Sequence, residues 1–190
     1  MLFRSIRADS FPLNSFLPAD SLGIVDLALQ ARGTGFDPLL PRTRTSLRAQ
    51  IDRAEFGGRD FGGIELDAEL DSQRLSGRIS DRDEALRLLL SVSGTLTERE
   101  QRIGLSGSVF GFDLAALGVS PEPIGGSFAL DASASAAGKG AYAARIALDS
   151  IEIRNKHRTD RIRPTSVSLH TDSAATRAEA ASGDLSLTFS

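Results

Sequence analysis

The sequence predicts an all-β chain, an antiparallel meander of long strands curled into a groove or closed as a β-sandwich. Three observations predict it. Apolar and polar residues alternate with a period of two along most of the chain, glycines recur in phase with the apolar residues, and sustained helical periodicity is nearly absent. Strict alternation turns one face of a strand toward an apolar interior and the other toward water, which is the pattern of antiparallel sheets.

Residues 1–45 form an irregular opening segment, punctuated by Pro12, Pro18, Pro38 and Pro41, in which Val25, Leu27 and Leu29 mark one strand. Residues 46–117 read as a central meander. It starts on Leu47, Ala49 and Ile51, and Gly57, Gly58, Gly62 and Gly63 then bracket a turn or bulge around Phe61. From Ile64, the apolar Leu66, Ala68 and Leu70 alternate with Glu65, Asp67 and Glu69. A tight loop at Ser72 and Gln73 sets Leu70 opposite Leu75 and Leu66 opposite Ile79. The same register places Asp71 by Arg74 and Asp67 by Arg78 on the wet face, so two independent faces agree.

Leu86, Leu88, Leu90 and Val92 continue the apolar phase, followed by Ile103, Leu105, Gly107 and Val109. A turn at Arg99 and Glu100 pairs Leu96 with Ile103, Gly94 with Leu105, Val92 with Gly107 and Leu90 with Val109. Asp113 to Leu117 suits one helical turn with Asp113 at its N-cap. Residues 118–127 are a Pro/Gly connection. The meander continues over 128–190 within the same continuous domain, where a loop through Gly138, Lys139 and Gly140 pairs Ala136 with Tyr142, Ala132 with Ile146 and Leu130 with Leu148. Ile151 and Ile153 fall out of phase with Leu148, which implies a bulge or a new strand. The alanine-rich stretch after Thr171 is ambiguous until Leu185, Leu187 and Phe189 mark a last strand.

Composition narrows the function classes. A chain of 190 residues supports a core without staples, and a net charge of −3 offers no basic surface for nucleic acid. Cysteine is absent, which removes disulfides and thiolate metal sites. The longest leucine run, Leu88 to Leu90, is far short of the ~20 residues of a spanning helix, and Met1 to Asp9 has no apolar signal-peptide core. His157 and His170 lack metal-ligand spacing, and Gly104 to Ser108 misplaces the serine and glycine of a nucleophile elbow. Gly33-Thr34-Gly35 is a turn without a third glycine or a following helix, and Glu65, Asp67, Glu69 and Asp71 occupy the solvated side of a strand. No catalytic, cofactor-binding or metal-binding residue is expected, and the protein reads as a non-enzyme.

The apolar face is the candidate site. Leu66, Leu88, Leu90, Val92, Leu105, Val109, Leu130 and Ile146 would line either a sealed core or an open groove, and glycines in phase with them let strands bend. Leu86 to Leu96 spans about 35 Å at ~3.3 Å per residue. With no tryptophan and one tyrosine, the interior suits acyl chains better than sugars. The alternatives are a closed carbohydrate-binding or adhesion module and a structural spacer.

Several segments resemble the TamB/AsmA-like translocation and assembly proteins of bacterial envelopes. They are Gly33-Thr34-Gly35-Phe36-Asp37-Pro38 before the strand at Leu47, Phe56-Gly57-Gly58-Arg59-Asp60-Phe61 before Ile64, Leu75-Ser76-Gly77, and Asp113-Leu114-Ala115-Ala116-Leu117-Gly118. The resemblance covers about Leu22 to Gly126 well and the remainder loosely. It implies an elongated β-taco with an apolar inner groove, in a periplasmic protein whose full length is anchored in the inner membrane. It also implies partners, namely phospholipid or acyl chains and an outer-membrane β-barrel protein, and no cofactor. The chain is then expected to be an interior piece of such a protein.

Overall fold

A computed structural model of the protein describes residues 2–12, 22–35, 37–56, 59–138, 141–172 and 175–189. It contains fourteen strands: β1 (Leu2–Pro12), β2 (Leu22–Thr34), β3 (Arg44–Phe56), β4 (Arg59–Phe61), β5 (Ile64–Asp71), β6 (Arg74–Arg82), β7 (Leu86–Leu96), β8 (Glu100–Asp113), β9 (Gly125–Ala137), β10 (Ala141–Arg154), β11 (Thr159–Ile162), β12 (Thr165–Thr171), β13 (Thr176–Ser182) and β14 (Leu185–Phe189). All belong to one antiparallel sheet ordered β1-β2-β3-β5-β6-β7-β8-β9-β10-β12-β13-β14, with β4 beside β3 and β11 beside β10. Each path strand pairs with its neighbours in sequence, so the fold is an open meander and not two stacked sheets. The closed-sandwich alternative gives way to it. Among the described residues, no helix is long and apolar enough to cross a membrane.

The β5–β6 hairpin has the register that its two faces predict. Leu66 pairs with Ile79, Asp67 with Arg78, Leu70 with Leu75 and Asp71 with Arg74. Ser72 and Gln73 both have positive φ, 53° and 72°, the backbone of a type I′ turn whose twist matches the strands. Neither is glycine, and neighbours hold the turn: the Ser72 N–H donates to Thr43 O at 3.1 Å, and the Gln73 amide donates to Leu39 O.

The β7–β8 register differs from the expected one by two residues. Leu96 pairs with Gln101, Gly94 with Ile103, Val92 with Leu105, Leu90 with Gly107 and Leu88 with Val109. The cause is local turn chemistry. The Thr97 N–H and Oγ1 donate to Glu100 O at 2.9 and 2.8 Å, and Thr97 Oγ1 accepts the Glu100 N–H at 3.0 Å, which centres the turn on Glu98 and Arg99. A two-residue slip preserves parity, so the apolar side is unchanged.

The β9–β10 pairs Ala136–Tyr142, Ala132–Ile146 and Leu130–Leu148 form as read, while Lys139 and Gly140 of their loop lie outside the described residues. So do Pro18, Phe36, Gly57 and Gly58. The opening segment holds two strands, β1 and β2, and not one. Asp113 closes the turn after β8, accepting the Ala115 and Ala116 N–H groups at 2.8 and 3.1 Å, with the Leu117 N–H on its carbonyl at 2.9 Å.

One feature organises the sheet. The registers shift after Ala8 in β1, at Asp26/Leu27 in β2, after Val109 in β8 and after Asp149 in β10. Near this level β3 changes partner from β5 to β4 across Gly62 and Gly63, and β10 changes from β12 to β11 across Arg163 and Pro164. Bulges bend their strand and raise its twist, so a row of them makes a crease. The buried apolar residues Val25, Leu90, Val109 and Ile151, with the buried Asp81, lie along or next to it.

Candidate binding face

The registers can be followed across the whole sheet. One row runs Arg4, Ala31, Leu47, Ala68, Gly77, Val92, Leu105, Ala132, Ile146, Val167, Ala180, Leu187. The next runs Ile6, Leu29, Ala49, Leu66, Ile79, Leu90, Gly107, Leu130, Leu148 before turning polar at Thr165 and Ser182. A shorter row beside the crease joins Asp81, Leu88, Val109 and Phe128. Every one of the sequence-selected residues Leu66, Leu88, Leu90, Val92, Leu105, Val109, Leu130 and Ile146 therefore shares one side of the sheet.

Their exposure grades across the sheet. Leu90 and Val109 are buried at the crease, while Leu66, Leu88, Val92, Leu105 and Leu130 are half-buried. Ile146 is 52% exposed, and Val167, Leu169, Leu185 and Leu187 continue the exposed apolar side to the β14 edge. Apolar side chains thus become more exposed from the centre of the sheet toward that edge.

Glycines shape this face. Gly77 and Gly94 leave low points between leucines, and Gly107, at φ 152°, lets β8 approach the backbone of Leu89 and Leu90. At the β2–β3 end the turn over residues 37–43 closes on itself. The buried Thr43 donates from Oγ1 to Asp37 O at 2.5 Å, and its N–H reaches Leu40 O at 3.0 Å. Beneath this turn lies a hollow of about 330 Å³, lined by Ala31, Leu47, Ala68, Leu70 and Leu75 with Pro38 and Thr43 above and Arg4 at the rim.

The opposite face is polar. Arg48 donates to Asp67 at 2.6 Å and Arg44 to Asp71 at 2.8 Å, both pairs exposed. The Asp67 hydrogen bond raises the Arg48 guanidinium above its usual range, and the Ser72 hydroxyl and Arg44 lower the Asp71 carboxyl. The acidic run of β5 is thus matched by arginines of β3 as well as β6. Serines fill much of the remainder, with Ser76 opposite Ser93 and Ser91 opposite Ser106. His157 and His170 are exposed, and among the described residues no group of His, Cys, Asp or Glu is placed to hold a metal ion.

Arg4 and Asp81 are charged residues in the apolar rows traced above, and sequence reasoning missed both. Asp81 is buried beside the crease; its Oδ1 accepts the Asp83 N–H at 2.8 Å, and burial pushes its carboxyl pKa up. Arg4 stands in phase with Ile6 and Ala8, a spacing that was available as a signal for β1. The fold and this face define a class: an open, single-sheet β-meander with one apolar and one polar side. No protein-family model, curated protein or solved structure matches the chain.

Proposed function

We propose that this chain is a non-catalytic segment of a long periplasmic protein similar to the TamB/AsmA-like family, giving acyl chains an apolar path between membranes. The observation that supports this reading is the apolar row from Ala31 to Leu187, which crosses eleven consecutive strands of the path without a charged residue and is exposed toward β14. An apolar trough with a solvated outer face holds lipid tails without exposing them to water.

The test is native mass spectrometry of the purified chain, paired with acyl photoprobe labelling at Ile146 and at Ser168 on the polar side. Co-purified phospholipid, with labelling at Ile146 and none at Ser168, is the expected result. A lipid-free monomer that labels at neither position overturns the reading and leaves a spacer. A second reading, assembly of outer-membrane β-barrel proteins, draws on the exposed apolar residues of β14, where Leu185 and Leu187 are 65% and 52% exposed, and crosslinking from Leu187 to an added barrel strand tests it.

A further inference from the structure

We infer that the apolar face has a headgroup site, at which Arg4 holds the anionic group of a single-tailed or two-tailed lipid whose chain starts in the hollow under Pro38. This rests on the acyl-binding reading and adds polarity and charge selection to it.

Arg4 is the only cation in the apolar row, since its partner in β2 is Ala31 and the row continues through Leu47, Ala68 and Gly77. The residue is exposed, and among the described residues it makes no ion pair. Arg7, on the other side of β1, is paired with Asp9 at 3.1 Å. Arg32 and Glu69 also border the hollow, but alternation in β2 and β5 sends their side chains to the polar face. Arg4 therefore offers the hollow a guanidinium that no described residue neutralises, and its planar fork binds phosphate or carboxylate through two parallel hydrogen bonds.

The path leading away from Arg4 has the shape of a chain. Ala68 and Gly77 form a low floor between Leu66 and Ile79 on one side and Leu70 and Leu75 on the other. With strands ~4.8 Å apart, Ala31 to Leu105 is about 24 Å, longer than the ~15 Å half-thickness of a bilayer's hydrocarbon core. The hollow of about 330 Å³ sits at the low end of ligand-sized pockets.

The experiment measures binding of four probes with the same acyl chain to the full chain: lysophosphatidylglycerol, lysophosphatidylcholine, a fatty acid and an uncharged monoacylglycerol. The net-anionic probes are expected to bind about tenfold more tightly than the monoacylglycerol. Arg4→Gln removes that preference and leaves monoacylglycerol affinity unchanged, Arg4→Lys retains part of it, and Arg7→Gln changes nothing. Comparing lysophosphatidylglycerol with the fatty acid tells phosphate from carboxylate, and inorganic phosphate is expected not to displace either. Equal binding of charged and uncharged probes overturns the headgroup site while the groove stands. So does an Arg4→Gln chain that self-associates with its preference intact, because Arg4 is then an edge guard. If no probe binds, the groove reading fails and this inference with it.

Discussion

Two glycines three residues apart in β8 test the architecture most sharply. Gly107 faces the apolar side opposite Leu90, at φ 152°, and a Cβ there would overlap the Leu89 carbonyl oxygen and stand 2.9 Å from the Leu90 Cα. Both neighbours are backbone, so relief requires the β7–β8 pairing to open beside the crease. Overpacking of this kind costs about 1–3 kcal/mol, and reduced unfolded-chain entropy returns about 0.4–1. Gly107→Ala is therefore expected to lose about 1.3 kcal/mol, which lowers the melting temperature by roughly 3–5 °C for a chain of this size. Gly104 faces the polar side, where a Cβ would meet the Ser93 hydroxyl at 3.3 Å, a group that can rotate away. Gly104→Ala should gain up to about 1 kcal/mol, since alanine suits a strand interior better than glycine. Thermal melts of both variants by circular dichroism decide the matter. Equal losses, or a neutral Gly107→Ala, would refute the register and the close approach that depends on it.

Other outcomes follow from charges and edges. Burial raises the folded-state pKa of Asp81, so the native state binds its proton more tightly than the unfolded chain, and ionisation at higher pH costs stability. Asp81→Asn, which keeps an acceptor for Asp83, is expected to raise the melting temperature at neutral pH; its advantage should vanish below the ordinary carboxylate value of about 3.9. A melt series across pH in which the advantage persists in acid would be inconsistent with this. The exposed Arg48–Asp67 pair should show a weak double-mutant coupling that shrinks further with added salt, measured by denaturant titration. Amide exchange should be fastest in β1 and β14, each paired on one side alone, and slowest in β7 to β9; uniform protection would point to covered edges.

Much of this architecture is legible in the sequence because strand alternation is read locally. Parity alone placed Leu66, Leu88, Leu90, Val92, Leu105, Val109, Leu130 and Ile146 on one side. Register is harder. In β5–β6 the charges on the wet face chose among registers, whereas in β7–β8 a two-residue slip leaves every apolar residue facing the same way, and the Thr97 hydroxyl decided. β1 was hidden because Arg4 occupies an apolar phase and breaks the pattern that reveals other strands. The crease left one local trace, the phase break between Leu148 and Ile151, where the β9–β10 register shifts; elsewhere a bulge adds one residue, such as Phe110, that composition does not distinguish. It emerges only when shifts in distant strands fall at one level.

The proposed acyl-binding role makes a prediction about stability. Val25, Leu90, Val109 and Ile151 supply the buried apolar residues, while Ile146, Val167, Leu169 and Leu187 remain in water. A ligand that binds only the folded sheet and covers these side chains stabilises it by mass action, about 2.7 kcal/mol at a hundredfold excess over its dissociation constant. For a chain of this length that corresponds to a melting-temperature rise of roughly 5–11 °C. A single-chain amphiphile below its micelle concentration should produce the rise, and Ile146→Asp, which places a charge on the uncovered side away from the crease, should diminish it with little change in the ligand-free melt. A rise of the same size in that variant would mean that the amphiphile stabilises the protein elsewhere, and the apolar face would lose its claim to be the binding surface.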